Sequence, residues 1–231
     1  MTYEDGILYA VQVARGEIQV CRNIRLACQR FLNQLENKEW AWEFHVRYVQ
    51  HFLDFASTLR HTKGPDAGKP LELQPFQIFL ICAVYGFRAK KDPSRRMVTD
   101  VIVYIPRKAG KSTLTAAIAL YELAFGEAGS EVYCLATTRD QANIVFTAAT
   151  GFVEAMPGDV DNYIRHHPTA WVFFGPKPVD GANQENLEGL KFQRLTCVRA
   201  FGVAQRTDKI KKMLDVADME FPCPLFVFKL V

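Results

Sequence analysis

The stretch Val101–Phe125, VIVYIPRKAGKSTLTAAIALYELAF, constrains the fold more than any other part of the chain. Its first five residues form an apolar run rich in β-branched side chains, the pattern of a buried strand. From Ser112 to Phe125 the sequence is that of an apolar helix. Between them lies a short loop ending in Gly110-Lys111-Ser112. Loops that hold phosphate between a strand and a helix follow the pattern G-x-x-x-x-G-K-[ST]. Here the last three positions agree, but Ile105 stands where the first glycine belongs. Read as such a loop, its backbone N–H groups and the helix N-terminus face one anion. Gly110 lets the backbone approach, Lys111 neutralises charge and Ser112 is placed to ligate Mg²⁺. The plain alternative is an ordinary strand-to-helix connection. Arg107 and Lys108 weigh against it, because a solvated turn gains little from three clustered cations.

The remaining sequence narrows the class. With 231 residues, 49% of them hydrophobic, the chain can bury a sizeable core. A net charge of +3 is too small to argue for nucleic acid, and Arg88–Arg96 (RAKKDPSRR) reads as a solvated connection. The six cysteines are scattered without a C-x-x-C pair, so they read as small hydrophobes in a reducing cytosol. The acidic N-terminus lacks a signal peptide's apolar region, and no run approaches a membrane span. A soluble, cytoplasmic protein is the expectation.

Apolar spacing predicts two or three helices over residues 5–60, broken near Gly16 and around NKEWAW, with Trp40 and Trp42 in the core. His61–Pro70 is a loop, and Pro75 opens a helix that stays apolar to Phe87. From Met97 short strands alternate with helices. Strands are expected at Val101–Ile105, Glu131–Thr137, Ala170–Phe174, Arg194–Val198 and Pro224–Phe228, with a helix from Arg139 to Ala155. That alternation predicts an α/β fold with a mainly parallel sheet flanked by helices. The expected division is a helical region over 1–70 and an α/β core over 71–231.

Four stretches together carry a family resemblance. PRKAGKST is similar to the variant phosphate-binding (Walker A) loop of the large terminase subunits of tailed bacteriophages. LELQPFQIFLICAVYGFR (Leu71–Arg88), EVYCLATTRDQANIVF (Glu131–Phe146) and NLEGL (Asn186–Leu190) resemble, in order, family segments before and after that loop. The N-terminal helical sequence is also similar to one branch of the family. The resemblance implies a RecA-like P-loop NTPase fold and an ATPase that drives double-stranded DNA into a capsid. It implies ATP and Mg²⁺ as cofactors, with Gln77 on adenine. Arg107, Lys108, Ala109, Gly110, Lys111, Ser112 and Thr113 would hold the phosphates, and Ser112 the metal. The implied partners are double-stranded phage DNA, the portal protein, the small terminase subunit and further copies in a homo-oligomeric ring, in the bacterial host cytoplasm.

Beyond residue 157 the likeness frays. The family's Walker B is an apolar strand ending in Asp-Glu, whereas RLTCV runs into Arg199 and Ala200. Asp208, Asp215, Asp218 and Glu220 fall in a stretch that reads as an amphipathic helix, so no catalytic residue is assigned. The sequence stops before the family's coupling motif and nuclease domain, and the expectation is a truncated or decayed copy. Two rival readings stay open: a helicase-type DNA translocase, and a remnant that binds nucleotide or DNA without turnover. Arg139 reads as an exposed arginine, with a phosphate contact as the alternative. His166 and His167 lack a third ligand for a metal.

Overall fold

The computed structural model describes residues 1–103, 105–106, 108–126, 131–136, 139–156, 164–167, 170–173, 193–199 and 226–229. The chain divides into two compact units. The first comprises Met1–Thr58, Leu71–Val103 and Phe226–Val231; the second comprises Leu59–Pro70 and Tyr104–Leu225.

The first unit is built on four helices: α1 (Tyr3–Arg15), α2 (Arg22–Glu36), α3 (Val46–Thr58) and α4 (Pro75–Tyr85). Helix α1 starts where the Asp5 carboxylate accepts the Thr2 N–H at 2.9 Å, and stops at Gly16, whose φ of 82° ends the helical run. Pro75 occupies the first turn of α4, where its missing N–H costs nothing. Gly6 brings α1 and α4 together, since a Cβ there would lie 2.7 Å from the Phe79 nitrogen.

Strand β1 (Trp42–Phe44) pairs antiparallel with β2 (Phe87–Ala89), with Phe44 opposite Phe87. Trp42 falls in the break expected around NKEWAW, and the chain past it forms a strand where helical spacing was expected; the alternation of Trp42, Glu43 and Phe44 fits a strand, and pairing with β2 decides it. The ring of Phe31 meets Phe44, Phe79 and Phe87 at centroid distances of 5.9, 5.3 and 5.6 Å, all edge-on, the geometry that aromatic quadrupoles favour. Cys28 and Cys82 are buried in this unit, and burial pushes their thiols up to about 11 and about 12. They are packing residues, as expected; Cys21 is exposed.

The basic stretch after α4 is only partly a solvated connection. Arg88 is 7% exposed, its guanidinium 3.8 Å from the Tyr48 ring centroid, with Nε donating to the Tyr85 carbonyl at 3.2 Å. Its Nη1 donates to the Ser94 carbonyl at 3.1 Å. Lys90, Lys91 and Arg95 are exposed. Strand β3 (Asp100–Val103) completes the unit, paired antiparallel with β8 (Phe226–Lys229).

The second unit holds helices α5 (Lys111–Phe125) and α6 (Arg139–Glu154), packed on each other. Its strands are β4 (Glu131–Ala136), β5 (Ile164–His167), β6 (Ala170–Phe173) and β7 (Gln193–Arg199), in the sheet order β4-β7-β6-β5. The pair β4–β7 is parallel, while β7–β6 and β6–β5 are antiparallel. The expected mainly parallel sheet is therefore not what the described pairings form. Strands β5 to β7 follow one another without an intervening described helix, and successive strands pair antiparallel without needing a crossover. The loop His61–Pro70 is closed by the His61 N–H on the Lys69 carbonyl at 2.9 Å.

Gly86 follows α4 in ordinary helical backbone, but a Cβ there would lie 2.1 Å from Cε2 of Phe44. Gly86→Ala therefore displaces Phe44 from the aromatic cluster. The expected loss, by urea denaturation, is about 1–3 kcal/mol.

Candidate nucleotide site

The loop into α5 owes its shape to two left-handed residues. Gly110, at the N-cap of α5, has a φ of 74°, and Lys108 has a φ of 66°, the positive value of a non-glycine among the described residues. A side chain in that region costs roughly 1–2 kcal/mol. The missing first glycine is thus explained locally: the loop makes a tight reversal at Lys108 rather than at Ile105.

Helix α5 anchors the far end of the loop. Residues Leu114 to Tyr121, and Leu123, are all buried, so its first turn is held from below. No side chain caps its N-terminus, and its first turn holds no acid. The helix end therefore keeps its partial positive charge and its N–H donors for an anion.

Lys111 is 8% exposed, and its ammonium donates to the carbonyls of Ile105 and Pro106, the latter at 3.2 Å. In this state the lysine ties the two ends of the loop together. The hydroxyl of Thr115, one turn on, donates to the Lys111 carbonyl at 2.8 Å, and the Leu114 N–H donates to the Gly110 carbonyl at 2.9 Å. Thr115 is not among the residues expected from sequence; a buried threonine four residues after the lysine in an apolar helix is the signal that marks it.

The expected phosphate residues Lys108, Ala109, Gly110, Lys111, Ser112 and Thr113 lie together at this junction. Lys108 is exposed, and Ala109, Ser112 and Thr113 are half-buried. Arg107 lies outside the described residues, as do Ala200, Asn186–Leu190 and the acids from Asp208 to Glu220. Gln77 belongs to the other unit. It sits in the first turn of α4, 6% exposed, where its Oε1 accepts the Gln74 N–H at 2.9 Å. Arg199 ends β7, in register with Ala136 at the end of β4.

A loop with two left-handed residues, an uncapped helix N-terminus and a lysine at its end offers donors and positive charge of the kind an anion takes. In comparison with known proteins, residues 75–169 match the family model of the terminase large subunit ATPase domain. Over that segment the chain is similar to the terminase large subunits. A terminase large subunit of Enterobacteria phage HK97 is 37% identical over 97 residues, covering 41% of this chain and 18% of that protein. The crystal structure of the HK97 bacteriophage large terminase aligns with a TM-score of 0.47 at 25% identity, over 65% of this chain and 27% of that one. The chain thus spans less than a third of the length of either relative. No helix among the described residues is long and apolar enough to cross a membrane.

The strain at Lys108 gives a direct test. Lys108→Gly relieves the left-handed side chain but adds backbone entropy to the unfolded state, for a net stabilisation of about 0.5–1 kcal/mol. Lys108→Ala keeps the strain and is expected to be neutral. Chemical denaturation of the three proteins distinguishes them.

Proposed function

We propose that this chain is the ATP-binding portion of a phage DNA-packaging motor, using ATP at the loop before α5 to drive double-stranded DNA into a capsid. The observation that carries the reading is the loop itself: left-handed Lys108 and Gly110, and Lys111 beneath them, inside a segment that matches the terminase ATPase family. In this reading the N–H groups of residues 109–113 and the N-terminus of α5 hold the phosphates. Lys111 leaves the Ile105 and Pro106 carbonyls for the β- and γ-phosphate oxygens, so anion binding exchanges one set of acceptors for another. Arg107 and Lys108 add charge at the rim. The Ser112 hydroxyl, half-buried in the first turn, would hold Mg²⁺, which would neutralise phosphate charge there.

Gln77 contacts adenine, to which its side-chain amide offers both a donor and an acceptor. Since Oε1 already accepts the Gln74 N–H, the carboxamide is held in one orientation. The proposed partners are double-stranded DNA, the portal protein, the small terminase subunit and further copies of the chain in a ring, within the bacterial cytoplasm. Lys111→Ala is expected to abolish ATP binding in calorimetry. Gln77→Ala is expected to erode the preference for ATP over GTP more than it erodes phosphate affinity. Equal ATP affinity in Lys111→Ala and parent would remove the loop from this role.

A second reading, nucleotide binding without turnover, is favoured by one feature. By the family resemblance β7 is the strand that should end in an acidic pair, and here it ends at Arg199, followed by Ala200. The first acid completes the metal shell and the second places the attacking water, and positioning and electrostatics supply most of the catalysis in phosphoryl transfer. Loss of one such group typically costs about 10²–10³ in rate. Phosphate release by the 231-residue chain, with Mg²⁺ and double-stranded DNA, is expected to be near background. The Arg199→Asp, Ala200→Glu double variant is expected to raise it. Brisk turnover by the parent would return the chain to the active-motor reading.

A further inference from the structure

A second feature lies in the first unit, on α2. A cleft of about 420 Å³ opens between α2 and Trp40. At ~30 Å³ per water it is far larger than ordered solvent requires. Its apolar lining is Leu26, 49% exposed, and Trp40, whose ring packs against Phe87 at a centroid distance of 5.7 Å. Its polar lining is amide-rich: Gln29, Asn33, Gln34 and Asn37, the last accepting the Glu39 N–H at 3.2 Å, with Arg30 among them. No carboxylate lines it.

The charge around the cleft is one-sided. From Cys21 to Ala41 the cations are Arg22, Arg25, Arg30 and Lys38, and the only acids, Glu36 and Glu39, lie at the far end of the helix and past it. The Lys90 N–H donates to the Ala41 carbonyl at 3.0 Å and its ammonium to the Lys38 carbonyl, which brings Lys90 beside the segment that carries Trp40. None of these cations is in an ion pair among the described residues. Arg22 and Arg25 also occupy the first turn of α2, which has no acid and no side-chain cap. Cations there oppose the helix dipole. The helix accepts this arrangement without any internal compensation.

We infer that this face of α2 docks an acidic peptide segment of a partner protein, with one large apolar side chain of that segment seated between Leu26 and Trp40. Carboxylates match the unpaired cations and complement the dipole at the start of α2. The amides choose between a peptide and a nucleic-acid backbone. Each amide offers a donor and an acceptor, which a peptide main chain matches with its own C=O and N–H. A phosphodiester has no donor, so it would leave the amide oxygens unmatched and the apolar cleft uncovered.

Fluorescence anisotropy on the 231-residue chain tests this with a labelled peptide of glutamates around one phenylalanine. The controls are the same peptide with serine for phenylalanine and a short DNA duplex. The phenylalanine peptide is expected to bind about tenfold more tightly than the serine peptide. Leu26→Ser, at an exposed position, is expected to erase that difference, and Trp40→Ala to do the same; Arg30→Glu is expected to weaken both peptides. Lys111→Ala is expected to bind them as the parent does, which separates this surface from the nucleotide loop. Equal affinity for the two peptides, or no binding of either, overturns the inference. A duplex that displaces the peptide, and whose affinity falls with Arg22→Glu but not with Leu26→Ser, overturns it in favour of nucleic acid.

Discussion

The second unit's candidate chemistry depends on a backbone turned left-handed at Lys108 and Gly110. A right-handed path there would carry the chain past the start of α5 instead of folding it over the helix end. With the reversal in place, α5 begins at Lys111, and the lysine side chain reaches back to the Ile105 and Pro106 carbonyls. The nearly continuous burial of α5 from Leu114 to Leu123 then holds the helix end still. Loop geometry and helix packing are parts of one device. Strain in the loop is tolerable because the helix below it cannot shift to release it.

The first unit is organised by a different interaction, the edge-on cluster of Phe31, Phe44, Phe79 and Phe87. It joins two helices to a two-stranded ribbon that alone would be marginal. Arg88 is drawn into the same unit. Flattened on Tyr48 and bonded to two carbonyls, its guanidinium keeps its hydrogen-bonding needs met while losing water. Tyr48 is tied in turn to the Pro93 carbonyl at 3.1 Å, so the basic turn after β2 is braced from beneath while its lysines stay in solvent.

Where the sequence was legible, local signals agreed with each other. Pro75 and Gly16 mark helix ends that the structure places at Pro75 and Arg15, and Gly110-Lys111-Ser112 marks the start of α5. The residues of the candidate phosphate loop were readable for the same reason: they are contiguous. What failed required partners far along the chain. Nothing local says that Phe44 lies opposite Phe87, or that β3 takes β8 rather than a neighbour in sequence as its partner. Arg88 was hidden by its composition, since a run of nine residues with five cations reads as surface until Tyr48 is placed beneath it. The left-handed position was hidden too, because the loop pattern specifies nothing at 108 and lysine gives no sign of a positive φ.

Lysine at this position sets stability against binding within a single residue. A loop that only had to turn would be served by glycine at 108, which adopts a positive φ freely. Lysine carries a strain of roughly 1–2 kcal/mol whether or not anything is bound. Its charge acts differently. Lys108 is exposed and stands three residues before Lys111, the first residue of α5, where like charges gain nothing from proximity. Once an anion occupies the loop, the same charge becomes attractive, and more so as water is excluded. The strain belongs to the fold and the compensation to the complex. On the proposed reading a loop of this composition is therefore least stable empty, and each cation added to it widens the free-energy gap in favour of the anion-bound state.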